Sequence, residues 1–282
     1  RPAREGDRVR AGIDSMPASA ISEGQAIRWI SEGGLFSESI RVAEEVPLAL
    51  IYNGEPFSVM MVSPVDLENF VIGFSITEKI VDNARQISGF EFVDEKFGIS
   101  AYVSIDKRYS DALTARKKNL VGRTGCGICG KETLEETLGR SFKVTNAKKF
   151  KNSVIQRAIK SLSAAQTLNS GVGTLHGAAW ADAAGNIVEI REDVGRHNAL
   201  DKLIGVFLST NLSSRDGFAL ITSRASYEMV SKASAANIGM LVAVSGPTSL
   251  AINTAKESGM TLLGFARDGR QTIYANKQRI II

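Results

Sequence analysis

The chain has 282 residues, 44% of them hydrophobic and 23% charged, which is typical of a globular protein with core enough for two domains. The net charge of +4 and an aromatic content of 7% argue against a nucleic-acid-binding protein. The sequence contains no apolar run long enough to cross a bilayer and no secretory hydrophobic region near its start. We therefore expect no association with membranes, and the two cysteines without a framework of further ones suit a reducing cytoplasm.

The first half of the chain predicts a loose tail followed by a β-rich subdomain. Residues 1–25 are polar and lack any period, which is typical of a flexible tail. Ser63 followed by Pro64 predicts the start of an amphipathic helix. Residues 31–37 read as a turn-rich break, and the remaining patterns predict strands at 26–30, 46–52, 56–63 and 99–105.

The second half alternates helices and apolar strands after a basic linker at residues 142–150. This alternation predicts an α/β domain whose sheet is largely parallel and covered on both faces, with a leading hairpin that makes it mixed. We place the domain boundary there, between a subdomain at 26–150 and a second domain at 151–282. The predicted helices are 152–168, 198–207, 226–236 and 248–258; the predicted strands are 173–181, 187–191, 217–222, 240–244, 261–266 and 271–275.

Both cysteines of the chain, Cys126 and Cys129, lie two residues apart in a glycine-rich, basic stretch. Nearby cations favour the nucleophilic thiolate, and glycines suit an exposed loop that presents it. A structural disulfide would close too small a loop to add much stability. A zinc site would need both histidines, His176 and His197, and stays possible. A thioredoxin-like helix start fits the glycines poorly.

Polar loops follow several strands of the second half, where ligands of such sheets bind. A charged loop ends at His197, a Ser/Arg loop precedes a predicted helix, and two arginines flank an Asp-Gly turn suited to pyrophosphate or guanine. The simpler alternatives are a solvated connector, N-capping by Ser226 and a hairpin turn with surface arginines. The candidate binding residues are Asp193, His197, Ser223, Arg224, Phe265, Ala266, Arg267, Asp268, Gly269 and Arg270.

These segments together resemble one family. They are Glu-Glu-Val-Pro at 44–47, Tyr-Asn-Gly at 52–54, GRTGCGICG at 122–130, EDVGRHNALDK at 192–202, SRASYEMV at 223–230 and GFARDGR at 264–270. In this order they resemble the FdhD/NarQ family of sulfur carriers required for active formate dehydrogenase. The resemblance runs from about Val42 to the C-terminus.

The resemblance implies a sulfurtransferase. A cysteine desulfurase passes persulfide sulfur to Cys126, and Cys129 resolves or relays it. The sulfur then goes to the molybdenum of Mo-bis(molybdopterin guanine dinucleotide), which the segment at 265–270 binds and GDP-like nucleotides mimic. The sulfurated cofactor enters formate dehydrogenase. The family also implies a homodimer.

The resemblance further implies a three-layer core like that of cytidine deaminases. Zinc deaminases need His-x-Glu and a Cys-x-x-Cys pair. Here Gly177 and Ala178 follow His176, and the segment at 223–225 lacks cysteine. We therefore expect neither deamination nor a structural metal. Two other functions stay open: a chaperone that delivers the cofactor without sulfur chemistry, and a redox switch that needs only the two thiols.

Overall fold

The computed structural model describes residues 19–110, 113, 142–210, 212–213 and 215–282. They form a mixed α/β fold with a four-stranded and a six-stranded sheet. The strands are β1 Ile21–Ile30, β2 Gly34–Ala43, β3 Val46–Tyr52, β4 Glu55–Val62, β5 Ile87–Glu95, β6 Gly98–Ile105, β7 Phe150–Lys151, β8 His176–Ala181, β9 Ile187–Asp193, β10 Phe218–Ile221, β11 Met240–Ala243, β12 Thr261–Arg267, β13 Arg270–Ala275 and β14 Ile280–Ile281. The α-helices are α1 Leu67–Thr77, α2 Asn152–Ala165, α3 Arg196–Ser209, α4 Tyr227–Ala235 and α5 Ser249–Ser258. Short 3₁₀ turns lie at Ala84–Gln86, Asn169–Gly171 and Lys277–Arg279.

Strands β1 and β2 form a separate two-stranded antiparallel ribbon, here called the β1–β2 arm. Its pairing runs from Ile21 opposite Ala43 to Ile30 opposite Gly34. The first strand therefore begins five residues before the predicted position, and most of the predicted break at 31–37 is the second strand. The pattern was missed because both faces of the arm carry mixtures of polar and apolar residues, which removes the period-two signal.

The four-stranded sheet has the order β4-β3-β6-β5, and α1 covers one of its faces. Leu48 and Leu50 point into this core, while Ala49 between them faces outward. The predicted cap at Ser63 was wrong, because the helix begins at Leu67 and its N-cap residue is Asp66, in a left-handed conformation. Ser63 is instead buried against the second half of the chain.

The six-stranded sheet has the order β13-β12-β11-β10-β8-β9. Strands β10, β11 and β12 run parallel, and the other three pairs are antiparallel. The sheet is thus less parallel than predicted. Helical crossovers generate the parallel pairs, whereas hairpins close both sides with antiparallel strands.

Helices cover both faces of this sheet and make three layers. Trp180 and Ala178 of β8 point toward α3, α4 and α5, whereas Ala179 and Ala181 point toward α2. This alternation follows from the two-residue period of a strand. Helix α2 buries one stripe, formed by Ile155, Ala158, Ile159 and Leu162.

Helix α1 packs directly on α3 through two glycines. A Cβ atom added at Gly73 would lie 1.8 Å from the carbonyl oxygen of Asp201, and one added at Gly205 would lie 1.9 Å from that of Asn69. The two helices therefore touch backbone to backbone. This contact joins the first half of the chain to the second, and the predicted domain boundary at residue 150 stays a prediction. Within the described ranges, we find no helix of the length and apolarity that a membrane crossing requires.

Candidate functional site

One edge of the six-stranded sheet, here called the carboxyl edge, brings together three loops with predicted binding residues and the loop that follows β11. Because β10, β11 and β12 are parallel, their carboxyl ends lie together. Strand β8 is antiparallel to β10 and pairs His176 with Asp193 of β9, which brings these two residues to the same edge. The fold therefore gathers segments that are far apart in the sequence, from His176 to Arg267.

Hydrogen bonds connect these loops to one another. Thr222 and Gly177 exchange two bonds, through the Thr222 backbone N–H (3.0 Å) and the Thr222 hydroxyl (2.9 Å). The backbone N–H of Thr248 donates to the carbonyl of Ala225 (3.1 Å), and that of Phe265 donates to the carbonyl of Ser245 (3.1 Å). The carboxyl edge is therefore a connected surface, with little freedom for one loop to move alone.

Phe265 is the exposed aromatic residue of this edge. It has a φ of 49°, which is uncommon for a residue with a side chain, and it is 54% exposed. A register shift between Gly264 and Arg267 puts Leu263 and Ala266 on the same buried face, so Phe265 turns outward. A Cβ atom added at Gly246 would lie 2.6 Å from the Phe265 ring, which shows that the ring lies across this glycine.

The edge is rich in positive charge. Arg224 and Arg267 are exposed, and Arg267 donates to the carbonyls of Val244 and Ala266. The Nε atom of Arg196 is buried and has no hydrogen-bond partner among the described residues. Partial burial, followed by the charges of Arg196 and His197, lowers the pKa of His176. The positive charges of Arg196, Arg224 and Arg267 make this edge suited to anions.

His197 and Glu228 are in contact at this edge and form an ion pair when His197 is protonated. The Nε2 atom of His197 lies 3.5 Å from a carboxylate oxygen of Glu228, and the Ser226 hydroxyl donates to the same oxygen (2.9 Å). The contact with His197, assisted by Ser226, lowers the pKa of Glu228 to about 2. Ser226 holds the N-cap position of α4 but makes no side-chain cap bond there, so the predicted capping alternative is only half correct.

Two helices begin at this edge without a side-chain cap. Gly195, which has no side chain, is the N-cap residue of α3, and the side chain of Ser226, the N-cap residue of α4, accepts no bond from the helix backbone. By contrast, Thr248 caps α5 by accepting from the N–H of Ala251 (3.2 Å). The positive dipole end of α3 favours an anion between the loops, whereas the carboxylate of Glu228 already lies in the first turn of α4 and accepts from a backbone N–H there.

Asp193 lies at the edge but faces inward. Its carboxylate accepts from Lys202 (2.7 Å), from the N–H of Ser63 (3.0 Å), and from Gly195 and Asn198 (both 2.8 Å). Both oxygens are thus occupied by the protein, and the residue is fully buried. In this structure Asp193 positions the loop before α3, instead of presenting a free carboxylate as the sequence suggested.

The remaining predicted residues differ in their access to solvent. Ala266 is buried in the core beneath α2, and Ser223 is buried with its hydroxyl donating to the carbonyl of Arg224 (3.1 Å). Asp268 and Gly269 form a hairpin turn before Arg270, as the simpler sequence interpretation had it. Asp268 lies 3.8 Å from Lys160, and both side chains are largely exposed. The exposed binding candidates are therefore Phe265, Arg267 to Arg270 and Arg224, with His197 half-buried.

Cys126 and Cys129 lie outside the described residues. The described residues on the C-terminal side of that segment attach at the opposite end of the sheet. The N–H of Val144 donates to the carbonyl of Ser258 (2.8 Å), and that of Thr145 donates to the Asn237 side chain (2.8 Å). His176 and His197 lie at the carboxyl edge, and the possible mixed zinc site stays untested.

The structure adds three residues to the predicted site, namely Arg196, Glu228 and Gly246. Arg196 belongs to the charged loop that ends at His197, but no sequence pattern distinguishes it from its neighbours. Glu228 lies two residues after Ser226, a spacing that lets a carboxylate reach a helix start. Gly246 is recognisable only from the ring of Phe265 packed across it.

Comparison with known proteins identifies the family. A model of the FdhD/NarQ family matches residues 43–281. The chain belongs to the FdhD/NarQ family. Among curated FdhD/NarQ relatives, the sulfur carrier protein FdhD of Xanthomonas euvesicatoria pv. vesicatoria is 46% identical, over 95% of this chain and 96% of the relative. That of Bordetella petrii is 44% identical, over 88% and 89%.

A solved structure supports the same family fold. A crystal structure described as that of a formate dehydrogenase accessory protein from Desulfotalea psychrophila superposes with a TM-score of 0.75. The two chains are 25% identical, and the match covers 93% of this chain and 100% of the other. The sequence-based recognition of the family is thus confirmed, and the mixed α/β class with it. The likeness to cytidine deaminases stays a prediction.

Proposed function

We propose that this protein carries sulfur for the maturation of formate dehydrogenase. It accepts persulfide sulfur from a cysteine desulfurase at Cys126 and transfers it to the molybdenum of Mo-bis(molybdopterin guanine dinucleotide), which is its substrate. The observation that carries the proposal is the meeting of the predicted binding loops at one cationic edge. The relatives are named sulfur carrier proteins, and this name supports sulfur transfer as the reaction.

The carboxyl edge suits a large guanine nucleotide. The exposed ring of Phe265 offers a stacking surface, and Arg224 and Arg267 offer donors for phosphate oxygens. The start of α3, which no side chain caps, supplies backbone N–H groups. We propose that the exposed arginines bind the phosphates and that Phe265 packs on a guanine base.

The sulfur chemistry balances without an outside oxidant. The Cys126 thiolate attacks the outer sulfur of the donor persulfide, so that one S–S bond forms, another breaks and the donor leaves as a thiolate. Attack by the Cys129 thiolate on the inner sulfur of the Cys126 persulfide then forms a disulfide and releases hydrosulfide for the substrate. A cellular dithiol must reduce this disulfide before the next cycle.

Replacing Arg224 with alanine tests the binding site. The Arg224 side chain is exposed and makes no side-chain hydrogen bond or ion pair within the described ranges, so its loss should leave the fold intact. We expect the affinity for GDP, measured by titration calorimetry, to fall roughly 10- to 100-fold, the value of a charge-assisted bond. The control is Arg215→Ala, an exposed arginine before β10 at the opposite end of the sheet. Equal affinities for both variants and the wild type would remove Arg224 from the site.

Replacing Cys126 with alanine separates the candidate functions. Under the sulfur-carrier proposal, cells with this variant lack formate dehydrogenase activity, while GDP binding persists. Full activity would favour the cofactor chaperone, which needs the loops but not the thiol. A redox switch predicts no GDP binding in either protein.

Three further parts of the proposal rest on the family. The three layers and the βαβ order of the second half support a deaminase-like scaffold without deamination, since Gly177 and Ala178 follow His176. We also propose that the protein acts in the cytoplasm, where thiols stay reduced. The third part is a homodimer.

A further inference from the structure

The β1–β2 arm carries an exposed apolar cluster at its tip. Ile27, Trp29 and Leu35 are 72%, 69% and 71% exposed. Trp29 is directly opposite Leu35, and Ile27 lies two residues before Trp29 on the same strand, so the three share one face of the ribbon, here called the arm face. Exposed apolar clusters of this kind mark interaction surfaces.

The root of the arm face lies on the body of the protein at the carboxyl edge. Arg41 is six residues after Leu35 in β2, and the unbroken pairing puts both side chains on the arm face. A Cβ atom added at Gly171 would lie 2.5 Å from a guanidinium nitrogen of Arg41, which shows that Arg41 lies over this glycine. The N–H of Asn169, in the same turn, donates to the carboxylate of Glu192 near the end of β9 (2.9 Å). The tip of the arm lies roughly 20 Å farther along the ribbon than this contact.

The two ends of the arm are joined beside the same edge. The N–H of Glu44, just after the arm, donates to the carbonyl of the buried Ala20, just before it (2.8 Å). Val62, the last residue of β4, pairs with the first residue of β3, and the N–H of the next residue, Ser63, donates to Asp193 (3.0 Å). Both strands of the arm therefore leave the body near the loop that precedes α3.

The arm lies outside the part of the chain that the family model matches. That match begins at residue 43, where β2 ends. The candidate thiols and the binding loops all lie within the matched range, so the arm is an addition to the shared part of the chain. An added element with an exposed apolar face is suited to the choice of a partner protein.

We propose that the arm face docks the protein that receives the cofactor at the carboxyl edge, a partner whose identity, formate dehydrogenase without its cofactor, rests on the proposed function. The apolar cluster exposes on the order of 400 Å², about half of what one partner contributes to a specific interface. The partner therefore needs further contact with the body, and the carboxyl edge is the surface continuous with the arm face. The recipient should present an apolar patch beside the opening of its cofactor site.

Binding to purified formate dehydrogenase that lacks its cofactor tests the proposal with the full chain. The arm-face variant is Trp29→Ser with Leu35→Ser, and the matched control is Ile30→Ser with Phe36→Ser, on the opposite face of the same ribbon. Both control side chains are 48% exposed, so the two variants change the ribbon to a similar extent. By biolayer interferometry, we expect the arm-face variant to bind about tenfold more weakly or worse, because tryptophans dominate the affinity of interfaces. The control should bind like the wild type.

Cross-linking gives a second readout that does not depend on weakening the ribbon. With p-benzoylphenylalanine in place of Leu35, ultraviolet light should cross-link the protein to the recipient. The same replacement at Phe36 should give no cross-link, since the two side chains leave opposite faces. Any other pattern would overturn the proposal.

Three further measurements distinguish this surface from the sulfur chemistry. The affinity for GDP, the gain of sulfur from a cysteine desulfurase and the oligomeric state by light scattering should be the same in the wild type and the arm-face variant. The proposal is overturned by a wild type that does not bind the recipient, by equal binding of the arm-face variant and the wild type, by an equal loss from both faces, or by a changed oligomeric state of the arm-face variant. A wild type that gains no sulfur would instead contradict the proposed function.

Discussion

The carboxylate of Glu228 should make the stability of the folded protein depend on pH, and a single substitution tests this. Its pKa is lowered from 4.5 to about 2 by His197 and Ser226. A carboxylate with a lowered pKa in the folded state stabilises the fold above its unfolded pKa, and this stabilisation is lost as the pH falls toward the folded pKa. We predict that Glu228→Gln destabilises the protein modestly at pH 6. The difference from the wild type should shrink below about pH 4.5 and vanish near pH 2.

Urea unfolding at several pH values measures this difference. The control is Glu257→Gln on the exposed surface of α5, which should show no comparable change between pH 6 and pH 3. A Glu228→Gln variant whose stability difference is constant over this range would contradict the ion pair with His197.

At the residue scale, the sequence predicted which loops carry the residues of the carboxyl edge better than it predicted what each side chain does there. Loop composition identified His197, Arg224 and Arg267, because charged and small residues after strands are a local signal. Asp193 carries the same local signal, yet its carboxylate is buried by Ser63 and Lys202, which lie 130 and 9 residues away. The burial of Ala266 follows from a register shift that composition does not encode.

The glycines of the α1–α3 contact give a prediction at the scale of elements. An added methyl group at Gly73 or Gly205 would meet backbone oxygen, which cannot rotate away. We expect Gly73→Ala and Gly205→Ala each to lower the free energy of unfolding by about 1–3 kcal/mol, the cost of overpacking. The control is Gly89→Ala in β5, where nothing lies within 4 Å of the added atom. Unchanged stability in both helix variants would show that the helices are not in backbone contact.

Most elements of the second half could be predicted, because buried strands and amphipathic helices each have a characteristic spacing of apolar residues. The predicted order of helices and strands was correct, whereas the predicted proportion of parallel strand pairs was too high. Sequence patterns do not show which strands pair, and the pairing decides whether a connection is a hairpin or a crossover. Strand β5 was missed because its apolar residues are only half-buried, and Gly89 and the adjacent Phe92 and Val93 interrupt the alternation. A strand on a sheet edge has too little burial to leave a clear pattern.

At the scale of the whole molecule, a buried ion pair joins the two halves of the chain. Lys202 of α3 lies 2.7 Å from Asp193 and donates to the carbonyl of Ser63 (2.9 Å). Ser63 is the residue that follows β4 of the four-stranded sheet. Burial lowers the pKa of Lys202, and Asp193 opposes this effect. The pair therefore fixes the carboxyl edge relative to the four-stranded sheet.

Breaking this pair should be costly. We predict that Lys202→Met lowers the free energy of unfolding by about 3–5 kcal/mol, because Asp193 is left buried without a counter-charge. The double variant with Asp193→Asn should recover part of the loss. Lys160→Met, which removes the exposed partner of Asp268, should cost about 1 kcal/mol or less. Equal losses for the two lysine variants in denaturant titrations would contradict the account.

Mass spectrometry of the intact protein tests the central claim most directly. Wild type and Cys126→Ala are each incubated with a cysteine desulfurase and cysteine, then weighed before and after treatment with a thiol. We predict a gain of roughly 32 Da on the wild type, reversed by the thiol and absent from the variant. A wild type that gains no sulfur while it still binds GDP, or a variant that gains as much, would contradict sulfur transfer through Cys126.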